Sequence, residues 1–200
     1  MGTTTKGTET RDRIVERAFR LASRDGLEGL SLGALATDLG VSKSGLFAHF
    51  KSKEELEVAV LTHATERFEA EVVRPALKAP RGLPRLKRLF ENWLAWGRDP
   101  ASPGGCIFVA AAVELDDRDG RPRELLVERQ RQLDALIVNL VMGAVTEGHL
   151  RADADAAQLV FELRGIILAT TYTQRLYRDR GAVDRARAAF ERLVAPLLRR

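Results

Sequence analysis

"SLGALATDLGVSKSGLFAHF", Ser31 to Phe50, is the stretch on which the fold turns. Its apolar residues recur at helical spacing on both sides of one glycine: Leu32, Leu35, Ala36 and Leu39 before Gly40, and Leu46, Phe47 and Phe50 after it. Ser31 and Ser42 each stand where an N-cap is needed, because a serine hydroxyl accepts one of the N–H groups that a first helical turn leaves unpaired. Gly40 supplies the left-handed conformation of a tight helix–helix turn. Ala36 is small enough for the second helix to cross closely, and Leu35, Leu39, Val41 and Leu46 are placed to fill the corner. This spacing predicts a helix-turn-helix, whose second helix offers its N-terminal residues to the major groove of DNA. Ser42, Lys43, Ser44 and Gly45 are small or cationic there, and a helix N-terminus attracts phosphate through its free N–H groups and dipole. Glycine-turned helix pairs also occur in all-α proteins that never touch DNA, so the spacing alone leaves both readings open.

On either side the chain again reads as helix, with no sustained alternation to suggest a strand. Upstream, Ile14, Ala18, Leu21 and Ala22 share a face with Phe19 flanking it; Thr8 or Thr10 is the expected cap and Gly26 the stop. Downstream, "SKEE" from Ser52 to Glu55 is a capping box opening a longer helix, expected to end near Val73 before Pro75. Helices are then expected around Leu86–Leu94, in the apolar "CIFVAAAVELDD", from Leu125 to Gly148, from Asp153 to Thr170, and from Val183 to Leu197.

The composition bounds the remaining possibilities. The 200 residues are 45% hydrophobic and 30% charged, enough for a globular core. A single cysteine, Cys106, permits no intrachain disulfide and suits a reducing, cytoplasmic location. No signal-peptide stretch opens the chain, and no apolar run reaches the ~20 residues of a membrane helix. The formal charge is +4, and residues 1–53 hold nine Lys or Arg against six Asp or Glu, a mild basic bias compatible with nucleic acid.

"GVSKSGLFAHFKSKEEL", Gly40 to Leu56, and the preceding "GLEGLSLGALATDLG" resemble the signature of the TetR family of bacterial transcription regulators, over roughly residues 8–60. The resemblance implies an all-α chain. An N-terminal three-helix DNA-binding domain, residues 8–55, would join a helical effector-binding and dimerisation domain, residues 56–200. It also implies a homodimer on a palindromic double-stranded operator, with repression relieved by a small molecule. By the family pattern Ser31, Ser42, Lys43, Phe47, His49 and Lys53 fall where DNA is contacted, with Ser44 and Gly45 between them. Ser44 stands where glycine is frequent, Gly45 where Thr or Ser is frequent, and Phe47 where Tyr is frequent. Phe47 therefore lacks the hydroxyl that Tyr would offer a phosphate.

Elsewhere the expectations rest on composition. Phe68, Trp93, Trp96, Phe108 and Tyr172 are core aromatics that could also line an apolar effector pocket between helices. Glu114 and Arg164 sit in apolar surroundings and either meet a ligand or point to solvent. Leu163, Ile166, Ile167, Phe190, Leu193 and Leu197 mark the last two helices as the dimer seam, with Gly165 permitting close approach. His63 and Glu66, at i and i+3, are one pair without the further ligands a metal needs, so no metal and no cofactor is expected. No catalytic constellation emerges and an enzyme is not expected. The rival reading is a helical adaptor or enzyme without DNA binding, for which Arg81, Arg85, Lys87 and Arg88 could serve acidic partners.

Overall fold

The computed structural model describes residues 3–199 and is helical, with one isolated bridge, Leu150 to Leu198, among the described residues. The chain divides into two compact units. Unit 1 comprises residues 1–67 and 99–128, and unit 2 comprises 68–98 and 129–200. The unit around the N-terminal helices thus takes in more chain than residues 8–55, because the segment 99–128 packs on it.

In unit 1, helix α1 spans Thr3–Asp25, α2 Leu32–Leu39, α3 Lys43–His49 and α4 Lys53–Phe68, the last residue of which belongs to unit 2; α7 spans Ile107–Glu114. Since α1 starts at Thr3, Thr8 and Thr10 lie inside it and do not cap it. Ile14, Ala18 and Ala22 are buried as their spacing requires, and Phe19, expected at the margin, is wholly buried. Its ring meets His63 edge-on at 5.5 Å and lies under the Arg67 guanidinium at 5.1 Å. The 102–105 turn and α7 pack against the end of α1. A methyl on Gly104 would stand 1.2 Å from the Ser23 carbonyl oxygen, so only glycine admits that approach.

In unit 2, α5 spans Arg74–Leu77, α6 Leu83–Trp96, α9 Ala156–Leu176 and α10 Ala182–Val194, while α8, Arg121–Thr146, enters it at Arg129. Pro75 does not end its helix. A wide π-helical turn, Glu69–Val73, precedes it, and the Arg74 N–H reaches back five residues to the Glu69 carbonyl. The widened turn makes room for the ring that an α-helix would drive into a carbonyl. Asp155, not Asp153, caps α9 by accepting from the Gln158 N–H at 3.0 Å; Asp153 pairs with Arg151. Phe90 of α6 stacks on Phe190 of α10 at 4.4 Å, flanked by the pairs Lys87–Glu191 and Arg187–Glu91. Much of the basic cluster is therefore spent internally: Lys87 on Glu191, Arg81 on Glu147 and Arg85 on the Ala79 carbonyl.

Candidate DNA-reading surface and effector site

The turn between α2 and α3 forms as its residues dictate. Gly40 adopts φ 67°, and its N–H and that of Val41 return to the carbonyls of Thr37 and Ala36. Ser31 Oγ accepts from the Ala34 N–H at 3.4 Å and Ser42 Oγ from the Gly45 N–H at 3.0 Å. A Cβ on Gly45 would press on Ser42 Oγ at 3.1 Å, so glycine there relaxes the cap of α3. Ser52 Oγ accepts from the Glu55 N–H, and Glu55 reaches back to the Lys51 N–H at 2.9 Å, one residue before the cap. Leu46 and Phe50 fill the corner, wholly buried, while Arg11 lies over the Phe50 ring at 4.8 Å and Arg17 ties α1 to Asp38 of α2.

What the corner leaves outside is one contiguous strip. Ser31, Ser42, Lys43, Ser44, Gly45 and Phe47 are exposed, and His49 is half-buried at the end of α3. Phe47 is 47% exposed, a large apolar side chain held in water on a polar helix face. Lys43 runs beside the first turn of α2, where a Cβ on Gly33 would stand 3.5 Å from its Cε. Gly33 thus belongs to this surface, and only the spatial pairing of α2 with α3 discloses it. Lys53 Nζ donates to the Glu28 carbonyl at 2.6 Å and lies 3.8 Å from Glu57 Oε1.

Glu114 is half-buried on α7. It accepts from the Glu28 N–H at 2.9 Å, over Gly26, and so holds the turn after α1. His63 Nε2–H donates to the Glu16 carboxylate at 2.9 Å and, with Glu66, borders a charged cleft of about 750 Å³ between α1 and α4. No group of three or more potential ligands converges among the described residues. Burial raises the Glu16 carboxyl, but the Arg20 hydrogen bond and the charges of His63, Arg20 and Arg67 outweigh it and hold it below the ordinary carboxylate range. A depressed carboxyl contributes stability above its unfolded pKa and loses it as pH falls through the folded value. Glu16→Gln is therefore expected to lower the melting temperature modestly at neutral pH. The deficit should close as pH falls below the ordinary glutamate range and through the lower folded value, in a melting series against pH.

In unit 2, Phe68 packs edge-on against both Trp93 and Trp96, at 5.6 and 5.5 Å. Arg164 lies 5.9 Å from the Trp93 ring and is held by Asp134 and by the side chain and carbonyl of Gln130. The Trp93 indole N–H is buried without a hydrogen-bond partner among the described residues. Phe108 belongs to unit 1, half-buried on α7. Tyr172 is not gathered with the tryptophans; it is exposed and meets Tyr177 edge-on at 5.5 Å.

Of the expected dimer residues, Leu163, Ile167 and Phe190 face the core of unit 2, and Ile166, Leu193 and Leu197 are half-buried. The outer face of α9 instead carries Phe161, Leu168, Tyr172 and Leu176, 73%, 51%, 55% and 60% exposed, with Gly165 open between the first two.

Comparison with known proteins agrees with this architecture. Residues 14–60 match the model for bacterial regulatory proteins of the tetR family, and residues 82–190 the tetracyclin repressor-like C-terminal domain. The chain is 23% identical to the uncharacterized HTH-type transcriptional regulator YezE of Bacillus subtilis, over 83% of this chain and 86% of that one. A TetR transcriptional regulator from Chloroflexus aurantiacus superposes with a TM-score of 0.89 at 22% identity, covering 98% of each chain. A putative transcriptional regulator from Saccharomonospora viridis, solved with choline, gives 0.81 at 23% identity, over 96% of this chain and 100% of that one. AibR, solved with isovaleryl coenzyme A and operator DNA, gives 0.72 at 20% identity, over 91% and 96%.

Proposed function

We infer from the tetR family of bacterial regulatory proteins, to which this chain belongs, that this transcriptional regulator represses by binding a palindromic operator as a cytoplasmic homodimer. A mainly apolar small molecule releases it. Residues 8–55 serve DNA and 56–200 serve the effector and the dimer. The observation that carries this reading is the exposed strip from Ser42 to Phe47, set by a capped helix on the buried base of Leu46 and Phe50. Such a strip spans few bases, so two half-sites are needed for useful specificity. The second copy has a place to dock in the apolar row on α9, whose exposure is costly in a monomer.

The effector reading rests on Phe68, Trp93 and Trp96, with the Arg164 charge already offset by Asp134. The Trp93 N–H, buried there without a partner among the described residues, favours an apolar ligand bearing a hydrogen-bond acceptor. AibR, with its acyl thioester and operator DNA, and the choline-bound regulator support the division between a DNA-reading and a ligand-binding part.

Lys43→Ala tests the DNA-reading strip. If Lys43 meets phosphate, affinity falls for all sequences and the salt slope drops by about one unit. If it reads a base, discrimination relaxes at one position by ~1–3 kcal/mol. Titration by fluorescence anisotropy over a range of salt separates the two, and an unaltered titration refutes the assignment of α3. For the effector, small molecules that release the operator should change tryptophan emission, and Trp93→Phe should weaken them while sparing DNA binding. A releasing ligand indifferent to Trp93 moves the pocket elsewhere.

A further inference from the structure

Glu57 is 2% exposed on α4 and faces two cations. Its Oε2 accepts from the Arg118 guanidinium at 2.5 Å. Its Oε1 accepts no hydrogen bond among the described residues and lies 3.8 Å from Lys53 Nζ, which itself donates to the Glu28 carbonyl. All four residues belong to unit 1, and Arg118 stands on the loop between α7 and α8. A carboxylate this deep requires a cation beside it, and removing one partner leaves a charge that the other must answer.

We propose that Arg118 is a positioning residue for DNA binding, acting through the buried carboxylate of Glu57 on Lys53. This rests on the reading of Lys53 as a phosphate contact. With Arg118 in place, the α7–α8 loop supplies Glu57 with its counter-charge, and Lys53 exchanges a neutral carbonyl for a DNA phosphate. With Arg118 withdrawn, Glu57 holds Lys53 and the phosphate contact is lost. The position of the loop is thus felt at the DNA surface as the availability of one ammonium group. Geometry makes the assignment unequal: the half-exposed Lys53 donates to a backbone oxygen that water can replace, whereas Arg118 takes the carboxylate directly.

The experiment uses the full chain and a duplex that the wild-type protein selects from a randomised library. Arg118→Gln should weaken binding about tenfold at low salt and reduce the salt slope by about one unit, as loss of one phosphate contact does. Glu57→Gln alone should tighten binding modestly, because nothing then competes for Lys53. The double variant should recover the wild-type slope, since without the buried charge Arg118 has no task. Circular-dichroism melts establish that each variant is folded. An unchanged slope in Arg118→Gln, or a double variant no better than Arg118→Gln, overturns the proposal and assigns Arg118 a purely structural part. If Arg118→Gln does not fold, Glu57→Gln decides alone: weaker binding by that variant overturns the relay. A wild-type protein that enriches no duplex overturns the DNA-reading assignment itself, a result distinct from any of these.

Discussion

Leu168→Glu is expected to yield a monomer in sedimentation equilibrium and to lower operator affinity by about two orders of magnitude, as loss of one half-site does. Leu168 lies mid-row on the outer face of α9, between Phe161 and Tyr172, with Gly165 one turn before it. An isologous contact between two such rows sets each Leu168 close to the symmetry axis, so the substitution places two carboxylates against each other in an apolar seam. The penalty is several kcal/mol. Phe190→Glu is the instructive contrast. Phe190 stacks on Phe90 inside the protomer, so that variant should lose stability rather than only association. A Leu168→Glu protein that remains a dimer excludes the α9 row as the interface.

The second large effect is on folding. Gly104→Ala should destabilise the protein by about 3 kcal/mol or more, the cost of forced overpacking where nothing can yield. The added methyl would stand 1.2 Å from the Ser23 oxygen and 2.0 Å from its carbonyl carbon. These are backbone atoms of α1 and cannot swing aside as a side chain does. Gly143 offers the control. Nothing lies within 4 Å of its Cβ position inside α8, so Gly143→Ala should gain roughly 0.5–1 kcal/mol from helix propensity. Urea titration of both variants separates the two signs, and a Gly104→Ala protein as stable as wild type would mean that the 102–105 turn does not seat on α1.

The DNA-reading half was legible because its determinants are local. A cap, a glycine and a buried corner lie within twenty residues of one another, and each specifies its neighbour's conformation. The segment 99–128 was not placed by periodicity, because its seat on α1 depends on Gly104, a residue that carries no side-chain pattern. Leu163, Ile167 and Phe190, expected at the dimer seam, face the protomer core for a different reason. Helix α9 carries two apolar stripes, Leu159, Leu163 and Ile167 inward and Phe161, Leu168 and Tyr172 outward. Helical spacing detects both and cannot say which one a neighbour in the same chain covers. Glu114 shows the same limit for charges: its partner is a backbone group distant in sequence, the Glu28 N–H.

The wide turn before Pro75 has a consequence for how this sequence can drift. Phe68, Val72 and Ala76 are buried at intervals of four through it, so the turn sets the phase of every residue that follows. Deleting the exposed Ala70 would restore an ordinary helix, rotate Val72 and Ala76 by about 100° and bring the proline ring against a carbonyl. Replacing Pro75 alone would leave a widened turn with nothing to favour it. Insertion and proline are therefore one heritable character: either change on its own passes through a less stable chain, and a lineage that loses one is expected to lose the other.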